Sequence, residues 1–508
     1  MTGRDPEIGR AIQGPVRVAL LGVAALAILT WVVLALAHVH DRYNVNAVSG
    51  TFLALAERAR EGTLYPPLFD GQSYGGTRTM PVPILLYAAS MSAAAGDLLA
   101  PAKVVDFLSS AALMVLLWGV LVRLGAGTAL SLALASTVVT SQVFLLAGTG
   151  IRPESLPTAL QLGAVALIAF SPRRGAVVLA AVLCGVALFA KLSALWAAAA
   201  IVLWLLGRDR RRLLLFVAAL AASIGVLFVV FNAVSDGRML TNLTGLGGAG
   251  LSLIGVVKAP LKAIELLLHD AQATVVVLPL VLLGALFATR SARPTIFQLG
   301  LVAAAGILLV VMADVGSDYN HLLDVVVLVP IVAFEAARSV AGRLDDGRPV
   351  WLFLAAAVLV GSAAALAANA GSSIAAALQL PSASAASALD PEPLDRELGS
   401  AGTVLAEDPY VPLSLGQRPI VIDPFMLIRL AQRDPALVAP LLARVQSGEI
   451  DAIVLNEDLA DAGAADRLTT LSFGRPFYDA IRASYRLCVV EGDSFLYVPD
   501  ARPCPGSP

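Results

Sequence analysis

Apolar runs close to twenty residues long recur from residue 17 to residue 370 of this 508-residue chain, and that recurrence decides its fold class. An α-helix needs about 20 apolar residues to cross the hydrocarbon core of a bilayer, so a chain that repeats such runs many times is a polytopic membrane protein. With 58% hydrophobic and 14% charged residues, the chain has too little polar surface for a soluble fold of this size. The net charge of -2, with no basic stripe carrying interleaved aromatics, excludes nucleic acid as a partner.

The runs fall at 17–37, 103–123, 127–147, 155–171, 175–190, 193–207, 212–233, 272–289, 295–313, 320–337 and 351–370, with a shorter one at 82–97. The ALA at 35–37 resembles a signal-peptidase site, but the run before it is longer than a signal-peptide core, so it reads as a span. Basic loops decide the topology. Arg173 and Arg174, then Arg208 and Arg210–Arg212, then Arg290 and Arg293, then Arg338, Arg343 and Arg348 recur regularly, and Arg4, Arg10 and Arg17 precede the first span. All of these, and Arg123, fall on the cytoplasmic side if 82–97 lies on or dips into the outer face instead of crossing. The expectation is about eleven spans. Residues 38–102, 148–154, 234–271 and 314–320 and everything after about 371 then lie outside, with Lys191 at the outer tip of a short hairpin. The stretches 45–60 and 252–269 read as amphipathic helices on the outer leaflet, walling a site or packing over the bundle.

Three segments follow: a membrane domain over 1–370, an Ala/Ser/Pro-rich linker over 371–400, and a small α/β domain over 401–508. In the last, GTVLAED, RPIVID, DAIVLN, YRLCVV and FLYVP are β-type runs, a helix is expected near 424–446, and EGDS makes a hairpin turn. Cys184 reads as a small core residue. Cys488 and Cys504 can pair if that domain is exported, or remain free thiols.

Ionisable residues near a bilayer are functional candidates because hydrocarbon penalises them. Here polar and ionisable residues collect on the outer side: Asp41 and Arg42 after the first span, Arg152 and Glu154 in GTGIRPE, Lys191, and Asp318, Asn320, His321 and Asp324 in SDYNHLLD. Asp41 stands out. It lies at headgroup level, where it stays charged cheaply and can face a substrate that lives in the membrane.

The loop from Asp41 carries an acid, an amphipathic helix over 45–60, the turn Gly62-Thr63-Leu64-Tyr65-Pro66, and Pro81 and Pro83 before an interfacial helix. This order resembles the first extracytoplasmic loop of GT-C glycosyltransferases, membrane enzymes that use polyprenyl-phosphate sugars, with TRTMPVP standing where the family carries YPP. IRPESLPTALQL resembles the second outer loop of the protein O-mannosyltransferase and lipid A aminoarabinose transferase type, Glu154 holding its acidic place. SDYNHLLDVVVLVP and the tail AEDPYVPLSLGQRPIVIDPF are similar to the same superfamily, so the resemblance covers most of the chain.

The resemblance implies a GT-C-like helical bundle in a bacterial plasma (inner) membrane, with the active site and C-terminal domain extracytoplasmic. It also implies an inverting transfer of a monosaccharide from a polyprenyl-phosphate donor to a glycan, lipid or protein acceptor of the cell envelope. Asp41 would be the general base that takes the acceptor proton. Arg152, Glu154, Lys191, Asn320, His321 and Asp324 would meet the donor phosphate or substrate. Tyr43, Asn44 and Tyr65 would line the substrate loop, and Asn46 is a further polar candidate there. A divalent metal is a candidate cofactor, with Asp41, Glu154, His321 and Asp324 as ligands, although no ligand spacing is strong. The structural alternatives are a solvated acid or helix cap for Asp41, a Glu154–Arg152 pair, a snorkelling Lys191 and a His321–Asp324 pair one turn apart. His38 and His40 read as interfacial polar residues. Competing functions are a transporter or lipid flippase, a ligase or polymerase using lipid-diphosphate glycans, and a non-catalytic scaffold. No inverted repeat and no paired broken helices favour the transporter.

Overall fold

The computed structural model describes residues 12–94, 97–246, 252–286, 293–314, 316–387, 398, 401–491 and 494–504. Arg4, Arg10, Arg290, the end of the expected linker and the Gly492–Asp493 centre of the expected hairpin turn lie outside these. The chain gathers into two compact units. One comprises Met1–Asn44, Lys103–Phe228 and Gly250–Leu378; the other comprises Val45–Ala102, Val229–Ala249 and Gln379–Pro508.

The first unit is helical. Helix α1 (Gly14–Ala37) opens with Pro near its first position, where a missing N–H costs nothing. Its 24 residues reach about 36 Å, enough to cross a bilayer. In the other unit α2 (Ala47–Arg60) and α3 (Pro81–Ala93) follow. At 13 residues α3 is about 20 Å long, short of a hydrocarbon core.

The first unit resumes at α4 (Leu99–Leu124), α5 (Thr128–Val139) and α6 (Gln142–Thr149). The run 127–147, read from sequence as one span, is broken here by a bend of 80°. Thr140 and Ser141 supply the cause. The Thr140 hydroxyl donates to Thr137 O at 3.1 Å and that of Ser141 to Val138 O at 2.6 Å, and Ser141 Oγ accepts from Phe144 N–H at 3.4 Å, which caps α6. A Cβ at Gly148 would strike the Trp31 indole, so glycine lets α6 close on α1. Trp31 in turn stacks on Phe107 at 4.8 Å and meets Phe144 edge-on at 5.3 Å.

Next come α7 (Ser155–Phe170), α8 (Arg174–Ala190), α9 (Trp196–Leu206), α10 (Arg210–Val234), α11 (Arg238–Leu246), α12 (Leu253–Asp270), α13 (Gln272–Leu286), α14 (Ile296–Met312), a 3₁₀ turn (Tyr319–Leu322), α15 (Leu323–Ala341) and α16 (Arg348–Ser387). Helix α12 matches the expected amphipathic stretch: Leu253, Val257 and Leu261 are exposed, and the chain turns by 120° before α13. Helix α16 carries on through Ser387, so the first half of the expected linker is helical.

Among the described residues four helices are long and apolar enough to cross a membrane, or up to six if each bent pair is one span. The expected count of about eleven depends on shorter helices of 10–17 residues such as α7, α8, α9 and α14.

The second unit holds α2, α3 and α11 with the C-terminal elements. These are β1 (Val404–Ala406), α17 (Tyr410–Ser414), α18 (Pro424–Arg433), α19 (Pro435–Gln446), β2 (Ala452–Leu455), α20 (Ala462–Leu471), α21 (Arg475–Ser484), β3 (Tyr485–Glu491) and β4 (Ser494–Pro499). The sheet order is β1-β2-β4-β3; β1 and β2 are parallel, the other pairs antiparallel. Met426, Leu430, Ile453, Phe477 and Tyr497 are among its core.

The helix expected near 424–446 is two helices. Asp434 ends α18 and caps α19, accepting from Leu437 N–H at 3.3 Å, with Pro435 opening the second helix. RPIVID joins no strand of the sheet. Val421 instead bridges Tyr74: Tyr74 N–H donates to Ile420 O at 2.7 Å and Ile422 N–H to Tyr74 O at 3.0 Å. The buried face of α2 belongs to the same packing, and Thr51 Oγ1 donates to Ile422 O at 2.9 Å. Cys488 and Cys504 form a disulfide.

Candidate functional site

Asp41 sits where α1 has just ended. His38 closes the helix, its N–H donating to Leu34 O at 3.1 Å. The His38 ring is buried, stacks on Tyr43 with centroids 3.9 Å apart, and sets Nδ1 2.6 Å from Asp41 Oδ2. Tyr43 N–H donates to Asp41 Oδ1 at 2.8 Å. The carboxylate is thus oriented on both oxygens, yet its side chain remains 34% exposed.

Lys103, only 3% exposed, locks the loop. Its ammonium has three donors, and they go to the carbonyls of His38, Asp41 and Tyr43 at 2.7, 2.9 and 2.8 Å. Nζ also lies 3.7 Å from Asp41 Oδ1. Asn44 takes a left-handed φ of 57°, and its amide donates to Thr149 Oγ1 at 2.7 Å. A Cβ at Gly150 would come within 2.6 Å of Asn44 O, so only glycine admits the loop this closely.

One turn along α4 from Lys103, Asp106 is buried and accepts the Arg152 backbone N–H at 2.7 Å. Arg152 and Glu154 precede α7. Glu154 is 6% exposed; Asn320 Nδ2 donates to its Oε1 at 2.8 Å, while Oε2 is buried with no hydrogen-bond partner. Arg152 Nε is likewise buried without one. One turn further along α7, the Thr158 hydroxyl donates to Asp324 Oδ1 at 2.7 Å, and Asp324 feels the charge of Lys191. The two rungs Glu154–Asn320 and Thr158–Asp324 therefore tie the head of α7 to the 3₁₀ turn and α15. Burial raises the Tyr319 hydroxyl's pKa; the Arg152 charge opposes this, and Asp318, Asp270 and Glu154 add to it.

Of the residues expected from sequence, Arg152, Glu154, Lys191, Asn320 and Asp324 meet in one cluster. His321 lies between Asn320 and Leu322 on the 3₁₀ turn. Asp41, Tyr43 and Asn44 form a neighbouring cluster, joined to the first through α4 by Lys103 and Asp106. Among the described residues no group of three or more His, Cys, Asp or Glu side chains is gathered for a metal, so Asp41, Glu154, His321 and Asp324 are not one ligand set. Tyr65 belongs to the other unit, is 0% exposed, and donates to Thr79 O at 2.7 Å; burial raises its pKa well above the ordinary phenol range. Its hydroxyl ties the Gly62–Pro66 turn to the segment just before α3.

Sequence reasoning missed Lys103, Asp106, Thr158 and Tyr319, and read His38 as merely interfacial. One signal was present: a Lys and an Asp one helical turn apart at the head of an otherwise apolar run, where neither is cheap.

No family model matches the sequence, and no curated protein matches it. Solved structures do. ArnT from Cupriavidus metallidurans bound to undecaprenyl phosphate is similar with a TM-score of 0.57 at 14% identity, covering 94% of this chain and 97% of that one. The Archaeoglobus fulgidus oligosaccharyltransferase in the apo form gives 0.53 at 12% identity, covering 92% and 72%. AglB from the same organism, in complex with an inhibitory peptide and a dolichol-phosphate, gives 0.50 at 13% identity, covering 95% and 74%. These proteins share the GT-C glycosyltransferase fold, and this chain has that fold. It is an integral membrane protein of that architecture.

Proposed function

We propose that this protein is an inverting glycosyltransferase that moves a monosaccharide from a polyprenyl phosphate to a cell-envelope acceptor on the outer face of a bacterial inner membrane. The observation that carries this reading is the Asp41 carboxylate: it is oriented by His38 and Tyr43 N–H, its loop is pinned by Lys103, and it keeps an open side. Fold neighbours in complex with undecaprenyl phosphate or a dolichol-phosphate support a lipid-phosphate donor.

Asp41 takes the proton of the acceptor hydroxyl as its oxygen bonds to the anomeric carbon. The bond from that carbon to the phosphate oxygen breaks, and polyprenyl phosphate leaves with both electrons. Arg152 and Lys191 neutralise the phosphate, while Glu154 and Asn320 take up sugar hydroxyls. About eleven spans with inward basic loops set this site outside. Residues 1–370 form the catalytic domain, and 401–508 recognise the acceptor. His321 joins Arg152 and Lys191 in meeting the donor phosphate.

Membranes carrying the parent protein transfer radiolabel from a polyprenyl-phosphate sugar, and Asp41→Asn reduces transfer by about 100-fold or more while remaining inserted. Full activity in Asp41→Asn would remove the base assignment. No transfer by the parent from any polyprenyl-phosphate sugar would remove the donor class.

A further inference from the structure

An apolar groove of about 670 Å³ runs along the first unit between α4 and α7. It extends from Ala112 to Arg123 on one helix and from Leu156 to Ser171 on the other. At 1.5 Å per residue those stretches are about 17 and 22 Å long, against about 15 Å for one leaflet's hydrocarbon.

Two glycines keep it open. Gly119 lines it with nothing within 4 Å of where a Cβ would stand, and at Gly163 a Cβ would make only ordinary contact with Leu183 and Leu116 at 3.7 and 3.9 Å. Glycine inside a helix costs about 1 kcal/mol against alanine, and neither position repays that with a close helix approach. What both supply is empty volume in the groove floor.

One end is apolar and the other is cationic. Arg123 lines that end, its guanidinium 5.2 Å from the Phe170 ring. Arg212 Nη2 donates to Ser171 O at 3.0 Å and Arg338 Nη1 to Leu124 O at 2.7 Å, so three guanidiniums gather there. Acids stand near two of the three: Asp209 accepts the N–H groups of Arg211 and Arg212, and Glu335, which accepts the Thr295 hydroxyl at 2.7 Å, also feels the charge of Arg338.

We propose that this groove is a binding site for one membrane phospholipid with an anionic headgroup, an acyl chain lying over Gly119 and Gly163 and the phosphate meeting Arg123. Length, apolarity and a cationic end are the complement of such a lipid. The site is separate from Asp41 and does not depend on the sugar chemistry.

Native mass spectrometry of the full-length protein, with phosphatidylglycerol and phosphatidylcholine of matched chains, tests it. The parent is expected to retain phosphatidylglycerol at least about fivefold better than phosphatidylcholine, as charge recognition at Arg123 requires. Gly119→Leu or Gly163→Leu should lower retention about tenfold, Gly163→Ala should leave it unchanged, and Arg123→Gln should abolish the preference between the two lipids. Should the leucine variants fail to fold, Arg123→Gln decides alone. Equal retention of both lipids by the parent, or parent-like retention in folded leucine variants, overturns the proposal. Displacement of phosphatidylglycerol by stoichiometric polyprenyl phosphate also overturns it, because the groove then belongs to an isoprenoid chain.

Discussion

Glu154 in the first unit and Glu407 in the second are both buried, and they are treated oppositely. Glu407, 1% exposed in the second unit, accepts from Arg467 Nη1 and Nη2 at 2.9 and 3.4 Å, from the Ser472 hydroxyl at 2.7 Å and from Asn456 N–H at 2.9 Å. Glu154 in the first unit has Asn320 on one oxygen and nothing on the other. A buried carboxylate whose lone pairs are all used is a structural part of the domain. One left half-used carries an uncompensated desolvation cost, which a bound ligand can remove.

Neutralising each acid in turn tests this difference. Glu407→Gln should cost about 2 kcal/mol of stability, because the charge-assisted bonds to Glu407 are weakened while Arg467, 30% exposed, keeps Glu457 as a partner, and this is read as a fall in unfolding temperature of the full-length protein. Glu154→Gln should change stability by less than about 1 kcal/mol and reduce transfer by about tenfold or more, the loss of a charge-assisted bond to substrate. Equal destabilisation by the two substitutions would dissolve the distinction.

Lys103 sharpens the same contrast from the other side, since its donors are fully spent on the Asp41 loop. Lys103→Met leaves three carbonyls without a donor and should lower the turnover number about tenfold with little change in donor KM, as expected of a positioning residue. A change confined to donor KM would instead make it a phosphate ligand.

Asp423, half-buried at the head of α18, is the intermediate case. Burial pushes its pKa up to about 6, against the opposing pull of Met426 N–H, the Arg78 charge and Phe425 N–H. The folded state therefore holds this proton more tightly than the unfolded chain does. The stabilisation from that proton is whole below about pH 4 and is lost as pH rises through about 6. Unfolding temperatures between pH 4 and 7 should show a decline that Asp423→Asn removes. The smallest effect is expected at the α18–α19 corner, where Asp434→Ala removes a cap worth about 1 kcal/mol and leaves transfer untouched.

Much of this was legible in the sequence for physical reasons. Apolar run length marks helices because hydrocarbon demands it, and β1, β2, β3 and β4 appear where alternating β-type runs stand between turns. Asp41, Arg152, Glu154, Asn320 and Asp324 were visible because a charge or amide beside a bilayer is conspicuous. Lys103 and Asp106 were not, because two polar residues barely alter the average of a long apolar run. The break at Thr140–Ser141 was hidden for a related reason: both side chains bond the backbone locally, and nothing in hydropathy records that. RPIVID has a strand's composition but found its partner at Tyr74, and composition carries no information about distant pairing.

That distant pairing bears on how the protein is made. Thr51 and Ile422 are separated by 371 residues in the chain, yet one donates a hydrogen bond to the other's carbonyl. At 5–20 residues per second, synthesis needs roughly 20–70 s to deliver the second after the first. Through that interval the α2 surface at Gly50 and Thr51, which meets Asp408, Pro409, Tyr410 and Ile422, lacks those partners. The first long loop is thus an early product that waits for the last part of the chain, and a ribosome stalled before Ile422 leaves it exposed to proteases.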